Sequence, residues 1–251
     1  MFYFVLINSN NNYGFLKLNK KSKIILIICL VSMASVVGIF SFFFLPTILD
    51  SIGPAPHYIN EDWIELDKIA NISKYRSTIG HGYPDDDNPT SNKHYFNPKS
   101  SYSNTNDTIK VFSPTNTKVT KIEWEHHLLS DGTIRGKQIH LQSIEHPSII
   151  FVYFHINNEP TGLQINQELI AGQWIGYCDC REGSNTDIAI YRGTETISWF
   201  EIITDSLFSA YNTRGITNRS LMIKTDAQVA ESANNGYSFS NSDPADWVNL
   251  S

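Results

Sequence analysis

The sequence predicts a mostly β exported domain, an antiparallel sheet with helices after it and one transmembrane helix before it. Three observations carry that expectation. Short runs rich in β-branched and aromatic residues, separated by turn residues, fill positions 109–191. Apolar residues fall at helical spacing only after Arg192-Gly193. Residues 24–49 carry no charged side chain, in a chain of 251 residues with net charge −6.

The apolar run comes first. From Ile24 to Leu49 it is rich in Ile, Leu, Val and Phe. As a helix it is about 39 Å long, and about 20 apolar residues suffice to cross a bilayer. Lys17, Lys20, Lys21 and Lys23 precede it and Asp50 follows. The positive-inside rule then places residues 1–23 in the cytoplasm and the rest outside the cell. A cleaved signal peptide is the alternative, but its apolar core is usually 7–15 residues long and no small-x-small site follows here. Residues 1–16, with the Asn-rich patch 8–12, read as an unstructured tail.

Residues 50–80 form a spacer and arm. Gly53-Pro54-Ala55-Pro56 stiffens the exit from the membrane, and Trp63 to Ala70 reads as a short helix or an extended arm. Residues 81–108 are crowded with Asp, Asn, Pro, Ser and Tyr without a period, the composition of a long ordered loop or a site insertion. Strands follow at Ile109-Lys110-Val111-Phe112, 118–124, 138–142, 149–154, 169–170, 174–177 and 187–191, with turns such as Ser113-Pro114 and Ser130-Asp131-Gly132. Residues 193–251 are a helical extension: one helix contains Trp199, Phe200, Ile203, Leu207 and Phe208, and a second covers 220–233. A Ser/Asn-rich loose tail ends the chain, with Trp247 able to dock.

Several functions are excluded by what is missing. No dense Lys/Arg patch stands outside the membrane flank, so nucleic acid is not an expected partner. No P-loop, dinucleotide fingerprint or Ser-His-Asp order is present. Cys178 and Cys180 are too close to bridge without strain and read as free thiols or an intermolecular link, ahead of a soft-metal site.

Within the β region, Val111-Phe112-Ser113-Pro114-Thr115-Asn116-Thr117-Lys118-Val119 resembles the strand–turn–strand of lysostaphin-type (LytM-like) zinc endopeptidases. The resemblance continues through Tyr153-Phe154-His155 and the run ending Ala171-Gly172-Gln173-Trp174-Ile175-Gly176. It covers about 110 residues and implies an open β-barrel-like sheet over 81–192. It also implies a metal site. The family's His-x-x-x-Asp falls on His81 and Asp85, although the register can slip to Asp86 or Asp87, and a solvated acidic turn reads equally well. The family's late His-x-His falls on Asn185 and Asp187, so its second histidine is exchanged for a carboxylate.

By this resemblance His81, Asp85 and Asp187 are the candidate ligands of zinc or another divalent cation. His155 and Asn185 stand where the catalytic pair stands. His155 could hold a transition state or move a proton, or be a strand-end histidine bonded to backbone, and Asn185 cannot titrate. Two anionic ligands make an ion less electrophilic and favour harder metals. Two functions stay open: a degenerate metallopeptidase domain that binds a peptide or protein of the cell envelope, and an active hydrolase cutting envelope peptide crosslinks. A β-sandwich adhesion module is a third.

Overall fold

The structure, a computed structural model, describes residues 4–7, 13–16, 50–160, 162–234, 239 and 243–251, in two compact units, 1–49 and 50–251. In the first unit β1 (Phe4–Ile7) pairs antiparallel with β2 (Tyr13–Leu16), from Phe4 opposite Leu16 to Ile7 opposite Tyr13. This hairpin corrects the unstructured tail expected over residues 1–16. Both segments are apolar and aromatic strand formers, and that preference outweighs the polar stretch between them in sequence. The run 24–49, read as a membrane anchor, lies outside the described residues. Among the described residues no helix is long and apolar enough to cross a membrane.

The second unit is built on one antiparallel sheet. Its strands are β3 (Ile69–Ser73), β4 (His94–Pro98), β5 (Lys110–Phe112), β6 (Thr117–Trp124), β7 (Lys137–Ser143), β8 (Ile149–Asn157), β9 (Glu168–Leu169), β10 (Trp174–Cys178), β11 (Thr186–Arg192), β12 (Glu195–Ile197) and β13 (Trp247–Asn249). The order runs β13-β3-β4-β11-β8-β7-β6-β9. Off this path β10 pairs with β8 and β5, and β12 folds back on β11. The two ends of the path do not pair, so the sheet is open and not a closed barrel. Two helices follow, α1 (Asp205–Asn212) and α2 (Asp226–Asn234).

Strand alternation divides the sheet into two faces. On one, Phe151, Tyr153, Ile188, Ile190 and Phe96 join Trp63, Trp199, Phe200 and Tyr211 in the main core. Each such side chain taken from water contributes about 1.5–3 kcal/mol. On the other face Val152, Phe154 and Ala189 form a small cluster with Tyr83, Ile150 and Tyr191. That second face carries the site. Cys178 and Cys180 are unpaired thiols buried in the main core.

Four differences from the sequence expectation shape this arrangement. Residues 94–98, expected in a loop, are a strand between β3 and β11. His94, Tyr95 and Phe96 are all buried because β4 is covered on both faces, which erases the alternation that marks a half-buried strand. Residues 69–73 are strand β3, entered through a single 3-10 turn at Leu66–Lys68, where a helix or arm was expected. The chain end is pinned rather than loose. Trp247 pairs with Ser73 on β3, and the buried Asp246 accepts from Thr78 N at 2.7 Å and Thr78 Oγ1 at 3.0 Å while pairing with Lys224 Nζ at 2.7 Å. The helix expected from Trp199 starts later, because the Ser198/Glu201 capping box closes a short 3-10 turn over Trp199–Glu201 first.

Candidate functional site

A cleft of about 1060 Å³ lies on the second face of the sheet. Register alone assembles its floor. Asp187 on β11 stands opposite Tyr95 on β4 and Phe154 on β8, and directly paired residues of an antiparallel sheet share a face. Lys93, two residues before Tyr95, falls on that same face, while His94 between them points into the main core. There His94 Nδ1 bonds Ser73 O at 2.8 Å and its Nε2 meets Ser198 Oγ at 2.8 Å, and burial lowers its pKa to about 4.

The Lys93 ammonium sits at the centre of the floor. Its Nζ is 2.6 Å from Asp187 Oδ2, and the two side chains are 2% and 0% exposed. It also lies 4.2 Å from the ring centre of Phe154 and 5.0 Å from those of Tyr83 and Tyr95, a cage of cation–π contacts. Burial opposes the charge on Lys93, but the Asp187 carboxylate outweighs it and raises its pKa. For Asp187 burial likewise favours the neutral acid, yet Lys93 and then His155 hold it well below the usual carboxylate range. Neither Asp187 oxygen is in a well-directed hydrogen bond, so both contacts are ionic in character.

His81 reaches the same ammonium from the rim. Its Nε2 is 3.2 Å from Lys93 Nζ and its Nδ1 is 2.7 Å from Gly82 O. These partners fit the tautomer that donates from Nδ1 and accepts at Nε2. The lone pair that a metal would use is therefore met by an ammonium.

His155 enters by breaking the strand's alternation. Alternation would send it to the side of Tyr153, but its φ of 60° lies in the left-handed region and turns the ring into the cleft. Its Nε2 lies 3.2 Å from Asp187 Oδ1, its Nδ1 contacts Glu125, and its backbone N–H donates to Glu125 Oε1 at 2.7 Å. Burial disfavours the imidazolium, but Asp187 and then Glu125 overcome it and raise the pKa above 6.5. Gly136 makes this turn possible, since a Cβ there would sit 2.7 Å from the His155 backbone. Arg135, 7% exposed, donates through Nε to Asp179 O at 3.2 Å and through Nη2 to Asn185 O, fixing the entry to β11.

The structure brings His81, His155, Asn185 and Asp187 to one cleft, whereas Asp85 does not line it. Asp85 is exposed, and its neighbour Asp86 lines the rim instead, with Oδ1 3.6 Å from His81 Nδ1. Three further residues of the site, Lys93, Glu125 and Arg135, are not marked by the sequence. Glu125 is 7% exposed beneath His155.

A metal needs its nitrogen and oxygen ligands at about 2.0–2.2 Å from one point. Between His81 and Asp187 that point is filled by Lys93 Nζ, and a divalent ion beside a caged ammonium would be repelled. Among the described residues no group of three or more His, Cys, Asp or Glu side chains is set to hold a metal ion. The residues as they stand do not fit zinc.

No family model and no curated protein matches the sequence. Solved structures similar to this chain are lysostaphin-type and M23 metallopeptidases together with Csd3. Csd3 of Helicobacter pylori is 15% identical with a TM-score of 0.42, over 77% of this chain and 47% of that one. Lysostaphin is 15% identical with a TM-score of 0.37, over 53% of this chain and 49% of that one. The M23 metalloprotease pseudoalterin from the deep sea is 13% identical with a TM-score of 0.35, over 59% and 75%. The chain thus spans about half the length of Csd3 and of lysostaphin.

Proposed function

We propose that residues 81–192 form a LytM-like domain whose cleft binds a peptide of the cell envelope without hydrolysing it, held outside the cell by an anchor over residues 24–49. The observation that carries this reading is the ion pair between Lys93 Nζ and Asp187 Oδ2 at 2.6 Å. The carboxylate expected to hold a catalytic ion is neutralised by the protein's own ammonium. Hydrolysis by this class of site needs an electrophilic metal to polarise the carbonyl and lower the pKa of water. The cleft retains what binding needs: a polar, partly aromatic lining with His81, Tyr83, Arg135 and Trp247.

The rival reading is an active endopeptidase using His81, Asp85 and Asp187. It is favoured by the convergence of His81, His155 and Asp187 on one floor, and it requires Lys93 to withdraw from its cage. Metal analysis and a crosslinked-peptide cleavage assay on the full chain in detergent separate the two. The binding reading expects no stoichiometric zinc and no cleavage in wild type or in Asp187→Ala. One zinc per chain, lost together with cleavage in Asp187→Ala, would overturn it.

A further inference from the structure

We infer that one end of the sheet is seated on the lipid surface, with Ile144, Ile170 and Ile52 set into the headgroup layer of a zwitterionic bilayer. The inference rests on the reading of residues 24–49 as a membrane anchor and adds the orientation in which the domain is held. Residues 50–53 are bonded to the domain and do not stand off from it. Asp50 Oδ1 is 2.7 Å from His146 Nδ1, and Asp50 Oδ2 accepts from Ser148 N at 3.1 Å and from Ser148 Oγ at 2.6 Å. Arg192 donates through Nε and Nη2 to Asp50 O at 3.1 and 2.7 Å, through Nη2 to Ile52 O at 3.2 Å and through Nη1 to Gly53 O at 2.6 Å. His146 and Ser148 lie in the β7–β8 turn, and Arg192 at the end of β11 pairs with Ile149 at the start of β8, so all these contacts fall at one end of the sheet. The Gly53-Pro54-Ala55-Pro56 segment runs along the domain from there, with Ala55 packed on the main core.

The same end exposes three isoleucines. Ile144 in the β7–β8 turn is 48% exposed, Ile170 in the β9–β10 turn 70% and Ile52 65%. Ser143 and Leu169 both pair with Thr117, which sets the next residues, Ile144 and Ile170, on either side of Asn116. Asn116 ties the two turns together: its O accepts from Ile144 N at 3.0 Å and its Oδ1 from Ala171 N at 3.1 Å. A single exposed isoleucine is ordinary, but turn tips favour Gly, Asn, Asp and Ser, and three isoleucines gathered at one end mark a surface with a partner. Chain connectivity supplies that partner. Asp50 is bonded to Leu49, the last residue of the apolar run, and one residue spans at most about 3.6 Å. A bilayer that holds the run therefore meets the domain at this end. Exposed Glu145, Glu168 and Glu195 stand beside the isoleucines, and their charge suits the ammonium groups of zwitterionic lipid rather than an anionic surface. β11 runs from Arg192 at this seat to Asp187 at the cleft floor, about 17 Å away at the rise of a strand, so a ligand enters the cleft from the envelope side.

The test places the full chain in phosphatidylcholine nanodiscs with one nitroxide label per sample. Ile144→Cys, Ile170→Cys and Leu128→Cys are labelled in turn on a Cys29→Ser background, and Cys178 and Cys180 are buried and stay unlabelled. Leu128, 65% exposed, lies in the β6–β7 hairpin at the far end of the sheet and serves as the water reference. The native Cys29, labelled alone, reports on the anchor. Collision of each label with oxygen, which concentrates in lipid, is compared with collision with a nickel chelate that stays in water. Labels at 144 and 170 should favour oxygen over nickel, and the ratio should reverse at 128. Labels at 144 and 170 as open to nickel as the one at 128, with Cys29 in lipid, overturn the inference and leave the anchored reading standing. A lipid signature at 128 in place of 144 and 170 overturns it in the same way. A Cys29 label in water overturns the anchored reading and the inference together.

Discussion

Replacing Asp187 by Asn should be among the most damaging single changes in the domain. The substitution keeps the shape of the side chain and removes its charge, leaving the Lys93 ammonium 2% exposed with no carboxylate at 2.6 Å. Breaking one partner of a buried pair costs about 3–5 kcal/mol, because the surviving charge stays desolvated. For a unit of this size each kcal/mol moves Tm by about 2–4 °C, so a drop of about 6–20 °C is expected. The cage of Tyr83, Tyr95 and Phe154 offsets part of this, which favours the lower end. Thermal unfolding of wild type, Asp187→Asn, Lys93→Met and the double variant completes a cycle. The double variant should be more stable than the sum of the singles by about 2 kcal/mol or more, because neither charge is then stranded. A loss below about 1 kcal/mol for Asp187→Asn, with no coupling in the cycle, would refute the claim that the floor is a tight buried ion pair.

Three further outcomes follow from other parts of the domain. Gly136→Ala places a Cβ 2.7 Å from the His155 backbone at a φ of 65°, so it should cost about 1–3 kcal/mol in urea unfolding and shift the His155 ring resonances; unchanged resonances would remove Gly136 from the site's support. Asp246→Ala removes the acceptor of Thr78 and the partner of the buried Lys224, and a loss of about 3–5 kcal/mol is expected in the same assay, against under about 1 kcal/mol if the chain end is only loosely docked. Asp62, in contact with Tyr211 Oη at 2.8 Å, has its pKa raised by burial from 3.8 to about 7. The folded state then keeps a proton that the unfolded chain releases, so this contribution is full below about pH 4 and is lost as pH rises through about 7. It amounts to at most about 4 kcal/mol, less for the partial exposure of Asp62, and Asp62→Asn should flatten that part of the stability–pH profile.

Much of the sheet is written locally. β6, β7, β8 and β11 lie where β-branched and aromatic runs meet turn residues, and the i, i+2 spacing of Asn185 and Asp187 suits the single cleft that both line. What stays hidden in the sequence depends on contacts between distant segments. β4 is covered on both faces and so shows no alternation. β13 is a short edge strand whose pairing with β3 is settled by Asp246 and Trp247 from the far end of the chain. The site follows the same division. His81, His155 and Asp187 carry recognisable residue types in a recognisable order. Lys93 carries no local mark, because its role is created by the β4–β11 register between segments far apart in the chain and by three rings from separate segments. Glu125 and Arg135 likewise become site residues only when His155 turns inward at φ 60°.

Whether Lys93 occupies the position a divalent ion would need is tested most directly by an experimental structure of the full chain grown in excess zinc, with anomalous scattering recorded at the zinc edge. Lys93 Nζ is expected within ion-pair distance of Asp187, with no anomalous peak between Asp187 and His81. A zinc peak at that point, bound by His81 and Asp187 with the Lys93 side chain swung out of its aromatic cage, would contradict it.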